Sequence, residues 1–178
     1  MQIDASTVDA IAALVFALTA GFLAWTWSTQ RSSGALLWWS LTFAIAAASA
    51  ARTWTEAAGD RPLSLLADDY LLLLAHLFLW SGFRAFNGRR PPFGWAGLVL
   101  GLYTLAIVGL RLPLRDFLDL AVLLAVAITI VAATEFARAT EETLSWKRVA
   151  VAITVLHGAF LGARVLIAPP VPRQGAVA

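Results

Sequence analysis

Three stretches of this chain, Ala10 to Gln30, Ser32 to Ala51 and Pro91 to Leu110, run without a charged side chain. Each is about the 20 residues that an α-helix needs to cross the hydrocarbon of a bilayer. Tyr70 to Phe83, Leu120 to Thr134 and Val149 to Ala163 are shorter uncharged runs, so each can span only with flanking groups that snorkel or are buried as pairs. Backbone in lipid must satisfy its own hydrogen bonds, and the apolar runs are continuous rather than alternating, which favours helices over a barrel. The expectation is an all-α fold, a polytopic membrane bundle of six transmembrane helices near 9–28, 35–54, 68–86, 93–111, 116–136 and 148–167. Residues 1–178 then form a single integral membrane domain.

Composition excludes the competing classes. Hydrophobic residues make up 60% of the chain and charged ones 13%, against about a quarter charged in soluble domains. A disordered tail, a nucleic-acid binder and a disulfide scaffold need polarity, clustered basic charge or cysteine; this chain has no cysteine. Asp4 and Asp9 stand where a signal peptide carries basic residues, so the first span is expected to be retained. Turn signals fall between the spans at Gly34, Gly59-Asp60-Arg61-Pro62, Asn87-Gly88-Arg89-Arg90-Pro91-Pro92 and Leu112-Pro113.

Basic residues set an orientation. With the N-terminus outside, inner loops hold Arg31, Arg89, Arg90, Arg138, Lys147 and Arg148, and outer segments hold Arg61, Arg111, Arg115 and Arg173. The positive-inside rule then predicts that both termini lie outside. Trp25, Trp27, Trp38, Trp39, Trp95 and Trp146 fall at the same inner boundary, where indole rings prefer to lie. Gly97 and Gly101, Gly158 and Gly162, and the alanine-rich run Ala44 to Ala51 offer small-residue faces for close helix packing within the chain, or for a homodimer seam.

Soluble-type catalytic motifs are absent. There is no Gly-rich phosphate loop ending in Lys and no His-Glu-x-x-His. The only lysine, Lys147, lies in a loop, which removes a buried retinal Schiff base. What remains is a set of polar residues in apolar helices, each a functional candidate because each is costly there. His76 follows Asp69 by seven residues and His157 precedes Arg164 by seven, placing each pair on one helix face. With Arg52 and Asp119 they make a candidate ligand-binding cluster in the outer half of the membrane, which Asp68 would help to cap. Two axial histidines for haem or a metal ion are the sharper alternative. The plainer one is that each histidine donates to a backbone carbonyl on a neighbouring helix and that Arg and Asp close structural pairs. Glu135 and Arg138, three residues apart, read as a solvated end of the fifth helix. A shift of 81 residues lays His76 on His157 and spans one to three on four to six, as in transporters built from inverted repeats.

At Leu36 to Phe43, LLWWSLTF, and at Leu79 to Pro92, LWSGFRAFNGRRPP, the chain resembles the N-terminal membrane module of bacterial GGDEF-family diguanylate cyclases. The likeness covers about residues 8 to 168 and includes the arginine ending the sixth span, Arg164. It implies an inner-membrane sensory or anchoring module for cyclic di-GMP signalling, working with a fused or separate cytoplasmic GGDEF domain. The further helix and the cyclase domain of such proteins have no counterpart here. No catalytic residue carries over, and the chain is expected to perform no catalysis itself and to need no cofactor.

Overall fold

The computed structural model describes residues 5–30, 34–55, 61–110, 114–137, 152–159 and 163. Within them lie α1 (Ala5–Gln30), α2 (Gly34–Thr55), α3 (Arg61–Phe86), α4 (Phe93–Leu110), α5 (Leu114–Ala137) and α6 (152–159), with no strand among the described residues. The all-helical class is therefore as expected, and among the described residues four helices are long and apolar enough to cross a membrane: Thr7–Thr29, Gly34–Arg52, Leu66–Phe86 and Leu120–Ala137. The expected six is not reached among the described residues. The apolar part of α4, Phe93–Gly109, is shorter. At 1.5 Å per residue the 18 residues of α4 rise about 27 Å, near the lower limit for crossing a hydrocarbon core of about 30 Å. Most of the expected sixth span lies outside the described residues.

Local chemistry explains the one sharp turn that is fully described. The α3 helix starts at Arg61 with Pro62 in its first turn, where a missing N–H costs nothing. It ends in a Schellman arrangement: the Arg89 N–H donates to the Arg84 carbonyl at 2.8 Å and the Gly88 N–H to the Ala85 carbonyl at 3.1 Å. Gly88 sits at φ 68°, a conformation that other residues resist. Pro91 and Pro92 then prevent any continuation, and the Pro92 carbonyl accepts the first α4 hydrogen bond from Ala96 at 2.9 Å.

The α3 helix is the hub of the bundle. It packs closely on α2 and α5 and more sparsely on α4, while α1 lies along α2. One face of α3 presents Leu73, Leu77, Trp80 and Phe83 to Ala121, Ala125, Ile128, Ala132 and Phe136 of α5. The alanines are fully buried. Between apolar helices in lipid the hydrophobic effect supplies little, so it is their small volume, allowing close van der Waals approach, that holds α5 to α3. Hydroxyls add cross-links: Ser40 donates to the Ala20 carbonyl of α1 at 2.9 Å, and Thr42 to the Ala75 carbonyl of α3 at 3.3 Å.

The expected small-residue faces divide. Gly158 does mediate close packing, since a Cβ there would meet the Thr129 methyl at 3.1 Å. Gly97 and Gly101 do not among the described residues: both are exposed, and a Cβ on either would meet no described atom within 4 Å. Gly162 lies outside the described residues. A tighter contact sits at Gly82, where an added Cβ would fall on the indole of Trp39. Trp39 also packs against the rings of Phe83 and Phe86 at 5.7 and 6.0 Å, and Trp38 against Phe78 and Phe93 at 5.5 and 5.7 Å. The two tryptophans thus interlock α2 with α3 and the start of α4, besides standing near a helix end. Replacing Gly82 by Ala is expected to destabilise the bundle by about 1–3 kcal/mol, because the indole must move for the methyl to fit. The thermal unfolding midpoint in detergent should fall for Gly82→Ala and hold for Gly97→Ala, whose site is open.

Candidate functional site

The polar residues of the bundle gather in three places along α3. Nearest its start, Asp68 pairs with Arg52 of α2 at 3.3 Å and accepts a long hydrogen bond from Ser49 at 3.5 Å. Arg52 was expected to join the histidine cluster; it reaches Asp68 instead, because α2 flanks the side of α3 on which that residue projects. The neighbouring Asp69 points another way. It is buried, and the Tyr103 hydroxyl of α4 donates to its Oδ2 at 2.6 Å. Beside this pair, Tyr70 and Tyr103 meet edge to face at 5.3 Å, and the Tyr70 and Thr104 hydroxyls share a hydrogen bond at 2.8 Å.

Two turns further along, His76 is buried with only 5% of its surface exposed. Its Nδ1 lies 2.7 Å from the Leu72 carbonyl, one turn back on the same helix. A carbonyl only accepts, so Nδ1 carries the proton and Nε2 bears the lone pair. Nε2 is buried without a hydrogen-bond partner among the described residues. The ring of His157 on α6 lies nearly parallel to that of His76, with centroids 5.5 Å apart. Two histidines 81 positions apart therefore face each other, and the partner of His76 is its own helix, not the neighbouring helix that the plainer reading supposed. His157 itself is exposed at the edge of the described bundle.

Of the other expected cluster members, Asp119 stands on α5 with its side chain outside the described residues, and Arg164 lies outside them altogether. No group of three or more His, Cys, Asp or Glu side chains that could hold a metal ion occurs among the described residues. Nor do the two halves pack alike: α1 lies closely along α2, whereas α4 touches α5 only sparsely.

The third place lies at the far end of α3, and the sequence reading missed it. Glu135 of α5 is buried rather than solvated. Its Oε1 accepts a hydrogen bond from Arg89 Nη1 at 2.7 Å and lies 3.7 Å from Arg84 Nη1. The Asn87 amide donates to the Glu135 backbone carbonyl at 2.8 Å, and Arg84 Nε donates to the Arg90 carbonyl at 2.9 Å. Arg84 also lies 6.0 Å from the centre of the Trp80 ring. The expected neighbour of Glu135, Arg138, lies outside the described residues. Charges near a helix end read as solvated, and only the packing of the α3–α4 turn against α5 reveals the partners of Glu135. The available signal was Arg84, Arg89 and Arg90 close together with no acid nearby in sequence.

No family model, no curated protein and no solved structure matches this chain.

Proposed function

We propose that the chain is a bacterial inner-membrane module that senses or anchors for a cyclic di-GMP signalling output and performs no catalysis itself. In this reading six helices cross the membrane, both termini lie outside, and the line of Asp69, His76 and His157 is the input site. The observation that carries the input assignment is the lone pair of His76 Nε2, buried without a partner among the described residues and set against the ring of His157. An intramembrane group left in that condition is costly unless something uses it. A ligand or proton taken there would act on the hub helix, since α3 contacts α2, α4 and α5. The link to cyclic di-GMP rests on the resemblance of the LLWWSLTF and LWSGFRAFNGRRPP segments.

The test uses a fluorescent cyclic di-GMP reporter in the native cells, comparing deletion of the chain, His76→Ala and His157→Ala. Deletion is expected to shift the reporter at least twofold, and each histidine variant, at unchanged membrane level, to reproduce that shift. A deletion that leaves the reporter unmoved overturns the signalling role. A deletion that shifts it while both histidine variants behave as wild type overturns the input site alone.

A second reading, a bis-histidine haem subunit, is favoured by one detail. An Nδ1 engaged by a backbone carbonyl is the usual way of presenting Nε2 to iron. Two imidazoles suit the two axial positions of haem better than the four-ligand sphere of a structural ion. Purified protein without a Soret band after haem supplementation ends this reading.

A further inference from the structure

The Arg84–Arg90 turn carries more positive charge than its interior uses. The turn brings three arginines near one carboxylate, that of Glu135, which only Arg84 and Arg89 contact, leaving two positive charges in excess among the described residues. The three arginines are not equivalent. Arg84 is committed inward, with Nε on the Arg90 carbonyl and Nη1 facing Glu135. Arg89 uses Nη1 on Glu135 but remains 54% exposed, so most of its five donors stay available. Arg90 is exposed and has no acidic partner among the described residues.

Backbone chemistry fixes this display. The left-handed Gly88 reverses the chain out of α3, and Pro91 restricts Arg90 to extended conformations, so the two arginines stand on a stiff connection. Just past the prolines, Phe93 and Trp95 are 64% and 62% exposed at the start of an apolar helix. Cationic donors therefore sit one turn of chain from uncovered aromatic surface. A soluble anion would use the first feature and leave the second idle; a phospholipid uses both.

We propose that the α3–α4 turn is a binding site for an anionic phospholipid, whose phosphate is held by Arg89 and Arg90 and whose acyl chains lie along Phe93 and Trp95. Arginine forks match phosphate oxygens with two parallel hydrogen bonds, and basic residues at a helix end attract anionic headgroups. The pair with Glu135 gives the site its rigidity, because it holds Arg89 in place before any lipid arrives.

The experiment is native mass spectrometry of the full chain in neutral detergent, with phosphatidylglycerol, phosphatidylcholine or inorganic phosphate added. Phosphatidylglycerol is expected to be retained in preference to phosphatidylcholine, with excess inorganic phosphate unable to displace it. Arg90→Gln is expected to reduce phosphatidylglycerol binding about fivefold. That variant leaves the Glu135 contacts intact, so the fold should survive even if Arg89→Gln weakens it. Equal retention of the two lipids, or wild-type retention by Arg90→Gln, overturns the proposal. Displacement by inorganic phosphate also overturns it, in favour of a soluble anion.

Discussion

Replacing Glu135 by Gln is expected to cost the bundle about 2–3 kcal/mol, among the largest single losses available to this chain. The carboxylate is buried and serves two guanidinium groups, so its removal leaves both without their counter-charge. Breaking a fully buried pair costs about 3–5 kcal/mol. The figure is lower here because Arg84 and Arg89 are 26% and 54% exposed and water or headgroups can reach them. Arg89→Gln should cost less, since Arg84 still neutralises the carboxylate from 3.7 Å. The double variant should fall short of the sum of the two, because neither loss is independent of the other. Unfolding midpoints in detergent measure all three. A Glu135→Gln midpoint equal to wild type would mean that the arginines find other partners, and that the α3–α4 turn is not tied to α5 by charge.

What could be read beforehand followed the strength of each signal. Uncharged runs of about 20 residues located α1, α2 and the apolar body of α4, because charge in hydrocarbon is expensive wherever the helix faces. Turn chemistry was equally legible at Asn87 to Pro92, since the glycine and the prolines each permit few backbone conformations. Helix contacts were much less so. Gly97 and Gly101 looked like a packing seam and meet no neighbour among the described residues, whereas the seam that holds α3 to α5 is made by Ala121, Ala125 and Ala132. Small size permits close approach but does not say which face receives a neighbour, and in a helix apolar all round no polar side marks the outside. Charges at helix ends were misread for a related reason. Position suggested a solvated end for Glu135, yet its described partners come from a turn more than forty residues earlier. His76 and His157 were expected only at comparable depth, and their rings lie 5.5 Å apart.

Tyr103→Phe is expected to be the other large loss, about 1–3 kcal/mol, though it deletes a single oxygen. That oxygen donates to Asp69 at 2.6 Å inside the bundle, and both residues are nearly inaccessible. Without the donor, Asp69 keeps its desolvation cost and loses its compensation. Asp69→Leu alone should also be costly, because it leaves the Tyr103 hydroxyl facing apolar surroundings. The double variant Asp69→Leu, Tyr103→Phe removes both polar groups and should recover most of the loss, since paired polar groups exchanged for apolar ones of similar shape are nearly neutral. That recovery separates stability from use. If the double variant folds as well as wild type but no longer moves the cyclic di-GMP reporter, the pair is kept for the input and not for the fold. If it is stable and signals normally, Asp69 is a structural tie between α3 and α4, and the input narrows to the two histidines. If the double variant is no more stable than Tyr103→Phe alone, the 2.6 Å contact is not what joins those helices, and the sparse packing of α4 must be held by its apolar surface.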